Sequence, residues 1–462
     1  MPIENLEALV DQLENLIAQH NDAALSDFLD DLNISEVKEM IDEFPEHGAR
    51  FIGLLPISRS VHVFRILDFP VQERIIKRLP GGKIAQLINE LPPDDRTALF
   101  GELKGDVVKK LIILLPSEDR KEALRLLGYR EDSVGRLMTP DYVAVKQNWN
   151  VAKVLEHIRR YGINSETIDV IYVIDDNGVL IDDLRIRKVL LSAPDTKIAD
   201  LIDNRLVSLH ANDHQESAIE TFRMNNRVAL PVTDDNNILL GIVTVDDILW
   251  VQKEEFAEDV QKIGGTEALD EPYLDTPILH LVRKRIGWLA ILMIGEMMTA
   301  SVMAVFEGQL EKAIVLSLFI PLIISCGGNS GSQASTLIIQ AMALGEVTIK
   351  DWWRVMRREL VSGSMLGIGL GLIGFARIYF WHVFAPGVYG DHWLLLGAAV
   401  STSVMFVVLW GSLSGSMLPI FLKKLGLDPA TSSAPFVATL VDVTGLIIYF
   451  GCAVFFLKDV LL

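Results

Sequence analysis

From residue 286 onward the chain carries five apolar stretches, roughly 286–306, 313–343, 360–383, 393–421 and 432–457. A membrane span needs about 20 apolar residues, so each stretch is long enough to cross a bilayer. No other feature narrows the fold as much. In hydrocarbon every backbone N–H and C=O must be satisfied internally, which stretches of this length achieve as helices. The second and fourth are long enough to be tilted or broken. Basic residues set the orientation. Arg283, Lys284 and Arg285 precede the first stretch, Lys350, Arg354, Arg357 and Arg358 follow the second, and Lys423 and Lys424 follow the fourth. The loops at 307–312 and 384–392 hold only Lys312. Five spans and a cytosolic N-terminus bring every basic cluster to one side. The expectation is a multi-pass protein of the cytoplasmic membrane with its C-terminus outside.

The rest of the chain has the opposite character. Residues 1–275 contain 51 Asp and Glu against 30 Lys and Arg, whereas residues 276–462 contain 10 against 12. An acidic soluble half argues against nucleic acid as a partner and for cations. The opening MPIENLEALVDQLENL is acidic and amphipathic, without a basic n-region or apolar h-region, so no secretory signal is expected. Cys326 and Cys452 both lie in the apolar half, which speaks against a disulfide framework or a Cys zinc site.

Residues 45–130 carry a rough repeat in which helix-sized apolar runs are punctuated by Pro56, Pro70, Pro80, Pro92 and Pro116, at intervals near twelve residues or a multiple. Short helices stacked into a small solenoid fit this spacing. A helical bundle with proline caps fits it equally, and both are all-helical. Residues 134–252 change to short strands alternating with helices. VIYVIDDNGVLIDDLRIRKVL from Val170 and VALPVTDDNNILLGIVTVDDIL from Val228 align at an offset of 59, each reading strand, Asp/Asn/Gly turn, strand, helix start.

The second apolar stretch contains PLIISCGGNSGSQAS, Pro321 to Ser335. Its small residues suit close helix packing. Its density of polar groups favours a wetted path, with Gly327 and Gly328 breaking the helix and Asn329, Ser332 and Gln333 lining the way. The fifth contains PFVATLVDVTGLIIYF, with Asp442 about 16 Å deep, near the bilayer midplane. An intramembrane carboxylate costs several kcal/mol and is a functional candidate by default. The bland alternative pairs it with Arg377, the one basic candidate at comparable depth. Glu296 in the first stretch is a second buried acid, for which the sequence offers no role.

The aligned pair at 170–249, with GRLMTPDYVAV opening the first copy, resembles a tandem pair of CBS domains. The second copy keeps the Gly241…Thr244-x-x-Asp247 pattern that many such modules use to hold adenosine ribose, whereas Arg185 and Lys188 stand at the equivalent positions of the first. That resemblance implies ATP or another adenine nucleotide in the second copy at best, with Thr244 and Asp247 as its contacts. GGNSGSQAS, VATLVDVTGL and the CBS pair joined to an acidic helix together resemble the MgtE family of magnesium channels over essentially the whole chain. The resemblance implies a homodimer in the lipid bilayer, a pore on the dimer axis with Asp442 of each subunit facing it, and a cytosolic Mg²⁺ sensor. It also implies the fold: a multidomain membrane protein with an all-α N-terminal helical solenoid (1–132), an α/β tandem CBS pair (133–250), a connecting acidic plug helix (251–282) and a five-helix α-helical transmembrane domain (283–462). The chain departs from the family pattern at Ala434, before the proline of span five, and at His214 and Asn226, where relatives tend to carry carboxylates.

DDILWVQKEEFAED, Asp246 to Asp259, supports the sensor on its own physics. As a helix it sets Glu254 against Glu258 and Glu255 against Asp259, like-charge pairs that are mildly destabilising. The plain reading is a solvated acidic face. The functional one is that Mg²⁺, a hard ion that seeks oxygens and keeps waters, bridges these acids and Asp247 to Asp94, Asp95 and Glu216. The expected function is thus a Mg²⁺-selective channel importing magnesium, closed by Mg²⁺ on its cytosolic acids, and not an enzyme. The alternatives are a proton- or Na⁺-coupled divalent cation transporter using Asp442, or a CBS-regulated membrane sensor without transport. A membrane enzyme has little behind it: His280, His382 and His392 lie near span ends with no nucleophile–base spacing.

Overall fold

Proline sets the rhythm of the N-terminal region. A residue before proline is driven out of the α region, and Leu55, Leu79, Leu91 and Leu115 all adopt extended backbone just ahead of Pro56, Pro80, Pro92 and Pro116. Short helices result, most of them ten residues long, running from Ile3–Ala18 to Ser117–Leu126. Most pack on the helix two places along, so Gly48–Leu54 meets Phe69–Arg78 and Ile57–Arg65 meets Gly81–Glu90. That stacking is a solenoid and not a bundle. One device recurs in it. Ser60, Gln72, Arg96 and Arg120 each donate a side-chain hydrogen bond to the carbonyl eight residues earlier, on Ile52, Phe64, Ile88 and Ile112. These positions differ by 12 or 24, and each side chain satisfies carbonyls that the end of the preceding helix leaves free.

The CBS pair follows as two three-stranded sheets. The first is β1 (Ala144–Lys146), β2 (Val170–Ile174) and β3 (Leu180–Arg185); the second is β4 (Leu209–His210), β5 (Ala229–Thr233) and β6 (Leu239–Thr244). In each, the middle strand runs parallel to the first and antiparallel to the third. The offset of 59 holds down to single bonds: Asp175 accepts the amides of Asn177 and Val179, and Asp234 those of Asn236 and Ile238. The turns knit the copies together, Leu180 N–H donating to Asn237 and Leu239 N–H to Gly178.

The computed structural model describes residues 3–269, 273–274, 276–385, 389 and 391–458. It divides into two compact units, Met1–Glu254 and Glu255–Leu462. One continuous helix, Val245–Ile263, runs through that division, starting directly from β6. The connecting helix therefore begins earlier than the expected residue 251 and ends well short of 282. Gly264 and Gly265 follow it, Gly265 with φ +74°. Ile278 already opens the first membrane helix. Part of the expected segment, residues 270–272 and 275, lies outside the described residues.

Five helices of the second unit are long and apolar enough to span a bilayer: Ile278–Val305, Ile314–Ala343, Ile349–Phe384, Trp393–Lys424 and Ala434–Leu457, here spans one to five. Span four is the hub, packing on spans two, three and five. Span two does not break at its glycines. After a tight 3₁₀ stretch, Ile314–Phe319, it is a single α-helix over Ile320–Ala343. The glycines act in packing: a Cβ on Gly411 would lie 2.5 Å from the Gly327 carbonyl oxygen, and one on Gly415 would overlap that of Gly331. Spans two and four thus meet backbone to backbone, as small residues permit in lipid. Ser330 Oγ reinforces the contact, reaching Ser412 Oγ at 2.8 Å and the Val408 carbonyl at 3.2 Å. The Tyr449 hydroxyl ties span five to the Leu316 carbonyl at 2.8 Å.

Candidate functional site

Span five begins later than its apolar run. Ser432 and Ser433 stay outside it, with the Ser433 side chain accepting from Phe436 N–H as N-cap. Asp442 is accordingly the ninth residue of a 24-residue helix, about 12 Å along a length of about 36 Å, a third of the way in and not at the middle. Its neighbour is not Arg377, whose guanidinium lies over the Phe319 ring at 5.6 Å. The carboxyl group facing Asp442, at hydrogen-bonding range, is that of Glu296 on span one. Glu296 is not buried by its own chain but exposed. A Cβ on Gly328 would stand 3.4 Å from Asp442 Oδ1, so the bare backbone of span two leaves this carboxylate open on that side.

Span two sorts its polar residues by face. Ser330 and Ser335 turn inward, Ser335 donating to the Ser432 carbonyl at 2.9 Å. Ser332 is half-buried and donates to the Ala434 carbonyl at 2.9 Å, so it braces span five more than it lines a path. Ser325, Asn329, Gln333, Thr336 and Gln340 are uncovered. Their spacing of four, four, three and four is one helical stripe. Lipid tails cannot satisfy such a stripe, which calls for water, ions or a second copy of the chain.

The first unit gathers a second group of acids. Asp94 and Asp95 open the helix Pro93–Glu102, and Asp246 and Asp247 open Val245–Ile263. Asp94 is 5% exposed, and neither of its carboxyl oxygens has a hydrogen-bond partner among the described residues. Burial first, then Asp247, Asp95 and Glu166, push its pKa well above the usual carboxylate range. Burial likewise raises Asp95 to about 6, against the pull of Arg65, with Glu166 and Asp246 adding to the rise. Asp247 rises to about 7 for the same first cause, although Thr244 donates to it at 2.6 Å. The cation of this nest is Arg65, paired with Asp95 and, at 3.4 Å, with Glu166. Among the described residues no three His, Cys, Asp or Glu side chains are arranged to enclose one metal ion. Sequence reasoning missed Arg65 and Glu166, 101 positions apart. No local pattern marks either.

The other predicted acids lie elsewhere. Glu216 sits in the first turn of helix Gln215–Asn225, its amide donating to His214 Nδ1, and is not among the acids acting on Asp94 or Asp95. Two of the three departures from the pattern the sequence resembles bracket this helix: His214 is its N-cap, and Asn226 closes it in the left-handed region at φ 49°, which asparagine tolerates better than most residues. Glu254 ends the first unit; Glu255, Glu258 and Asp259 belong to the second. Glu258 is bonded to Lys262 at 2.5 Å, and Lys262 also reaches Asp428, ahead of span five, at 2.7 Å. Partial burial works against the Lys262 ammonium, but these two hydrogen bonds outweigh it and raise its pKa. Thr244 and Asp247, the expected nucleotide contacts, bond each other inside the acidic nest.

Three comparisons bear on this arrangement. Family profiles match along the chain: the MgtE intracellular N domain at 32–132, CBS domains at 134–191 and 198–254, and MgtE, described as a divalent cation transporter, at 320–452. A magnesium transporter MgtE of Thermus thermophilus is 34% identical over 458 residues, covering 98% of this chain and 100% of that one. Its counterpart in Bacillus subtilis is 28% identical over 442 residues, 95% and 96% of the two chains. Among solved structures, the cytosolic domain of the Mg²⁺ channel MgtE in complex with ATP superimposes with a TM-score of 0.51 at 30% identity, over 52% of this chain and 99% of that one.

Proposed function

The chain belongs to the MgtE family, and on that premise we propose that it is a Mg²⁺-selective channel of the cytoplasmic membrane, importing Mg²⁺ and closed by Mg²⁺ on its cytosolic acids. One observation carries the reading: Asp442 has an acid and, among the described residues, no cation beside it, next to an uncovered polar stripe on span two. A carboxylate in that position without a counter-charge is built to meet an ion or water. If two copies face each other across the stripe, their carboxylates repel, and a divalent ion relieves that repulsion better than a monovalent one. Mg²⁺ dehydrates reluctantly, so it passes with waters, and Asn329 and Gln333 supply hydrogen bonds to them.

The nest supports the regulatory half. Asp94 offers two orphaned carboxyl oxygens, the donor type a hard cation prefers. Asp94, Asp95, Asp247 and Glu166 would hold Mg²⁺ through waters, with Arg65 as the resident competitor. Without Mg²⁺ these acids repel one another. With it, the closed state is favoured by differential binding. The helix Val245–Ile263 links the two ends, its first turn in the nest and Lys262 fixed to Asp428. Flux through the purified chain in liposomes, with internal Mg²⁺ varied, tests the whole reading. Mg²⁺ influx that stops as internal Mg²⁺ rises is expected, and flux indifferent to internal Mg²⁺ would remove the sensor. The Glu296–Asp442 pair favours one second reading, a proton-coupled transporter in which the two carboxyls share a proton. A pH gradient that drives Mg²⁺ uphill would select it.

A further inference from the structure

Span three is longer than the layer it crosses. Its helix, Trp352–Phe384, has 33 residues and measures about 50 Å, against about 30 Å of hydrocarbon. A tilt of about 20° takes up only about 3 Å of the excess. The polar residues of the helix put much of that excess at its start, where it stands in the headgroup layer. The inner face of this start is anchored, Val355 being buried with Met342 of span two and Ile420 of span four. The outer face is bare. Trp352, Trp353, Arg354, Arg357 and Arg358 are all exposed. The preceding turn, Ile349–Asp351, packs on spans three and four, which brings Lys350 to the same rim as Lys423 and Lys424 at the end of span four.

This arrangement works against the helix that carries it. Arg354, in the first turn, opposes the positive end of the helix dipole. Arg357 and Arg358 stand three and four residues on and repel it in turn. The chain supplies little compensation. Arg354 pairs with Asp351 at 3.1 Å, and that carboxylate also accepts from the Thr348 hydroxyl. Arg357, Arg358, Lys423 and Lys424 form no ion pair among the described residues, although Glu346 and Glu359 are close in sequence. An excess of cations that the protein leaves unneutralised at the membrane surface calls for an anion from outside. A lipid phosphate fits it, because guanidiniums are planar forks that match phosphate oxygens two at a time. Trp352 and Trp353, edge to face at 5.6 Å, add the amphipathic rings that favour the headgroup boundary.

We propose that the start of span three, Trp352 to Arg358, is a binding site for the headgroup of an anionic phospholipid. Arg357 and Arg358 hold its phosphate, and the two indoles flank it. The proposal does not depend on which ion the chain conducts. The indoles themselves report on the site. The full-length protein is reconstituted in phosphatidylcholine bilayers containing acyl-brominated phosphatidylglycerol, whose bromines quench nearby tryptophans, or acyl-brominated phosphatidylcholine in its place. A Trp352→Phe, Trp353→Phe protein supplies the background of the other tryptophans. The difference between the two proteins should show phosphatidylglycerol preferred over phosphatidylcholine by about five- to tenfold. Arg357→Gln with Arg358→Gln should bring that preference to within about twofold of unity. Arg357→Lys with Arg358→Lys keeps the charge, and with it the orientation in the membrane, yet should retain less than about half of the preference, since an ammonium is not a fork. Lys423→Gln with Lys424→Gln should lower the preference less than the Gln pair on span three does. Equal quenching by the two lipids in the parent, as when the chain's own acids or a second copy cover the arginines, would overturn the proposal. So would a preference that survives the Gln pair, or a Lys pair with the parent's full preference. Loss of the preference in about 10 mM inorganic phosphate would make this a site for a soluble anion and overturn the lipid assignment.

Discussion

Asp442 and Asp94 are both carboxylates withdrawn from bulk water, yet their surroundings differ in one respect. Asp442 faces another acid, Glu296, and no cation among the described residues. Asp94 sits among acids that already share a cation of their own, Arg65. A site that must pass its ion on cannot own a permanent counter-charge, because the charge would hold the site closed to the ion or trap it. A site that reports concentration gains from one, since an internal guanidinium sets a threshold that Mg²⁺ has to exceed. On the proposed function the contrast separates a conducting carboxylate from a sensing one, and it can be broken at either end.

The largest effect is expected at Asp442. Asp442→Ala should lower the Mg²⁺-over-Na⁺ flux ratio in liposomes by about 100-fold, near 2.7 kcal/mol, while the protein stays folded. Glu296→Gln should keep that ratio within about tenfold, because one carboxylate remains. Equal losses would make the two acids a single site. A well-folded Asp442→Ala protein that still prefers Mg²⁺ would remove the residue from the path.

Arg65→Gln comes next. Losing the pairs to Asp95 and Glu166 should cost about 2–3 kcal/mol of stability in EDTA, since breaking a largely buried pair leaves carboxylates unpaired. Millimolar Mg²⁺ should then stabilise the variant more than it stabilises the parent. Thermal unfolding in both conditions measures this, and the same Mg²⁺ increment in both proteins would refute competition.

Replacing Glu254, Glu255, Glu258 and Asp259 together by Gln should leave conduction intact and raise the internal Mg²⁺ needed for shut-off by about tenfold. A quadruple variant that is shut without Mg²⁺ would mean that repulsion, not bridging, governs this stretch.

The smallest effect concerns pH. Asp95 and Asp247 are raised to about 6 and about 7, so between roughly pH 4 and 7 the folded chain binds more protons than the unfolded one. Stability in EDTA should therefore rise as pH falls from 7.5 to 5.5, by about 2–6 °C in the unfolding midpoint. A midpoint that falls over this range would show that the nest is not strained by its own charge.

Periodic features were legible in the sequence, and pairings across the chain were not. Five apolar runs, a twelve-residue proline rhythm and an offset of 59 all repeat along the sequence, and each became an architectural element. The solenoid could not be told from a bundle, because the side-chain-to-carbonyl bonds of Ser60, Gln72, Arg96 and Arg120 use three different residue types for one task. Glu296 meets Asp442 across 146 positions, and no periodicity announces that meeting. GGNSGSQAS misled in a more instructive way. Glycine suits a broken helix and a close contact equally. Only the presence of Gly411 and Gly415 on span four decides for contact.

That contact bears on how such a membrane unit can move. Where Gly327 and Gly331 touch Gly411 and Gly415, no layer of side chains lies between the two helices to be compressed or repacked. Interfaces of this kind do not yield by degrees; they slip as a whole or stay locked. Spans two and four therefore behave as a single stiff plank. Span one is held differently: Thr299 is the sole buried side chain of its helix Ile278–Val305, and the helix meets span five through Gly295 against Thr439 and Trp288 donating to Ser433, which sets Glu296 beside Asp442.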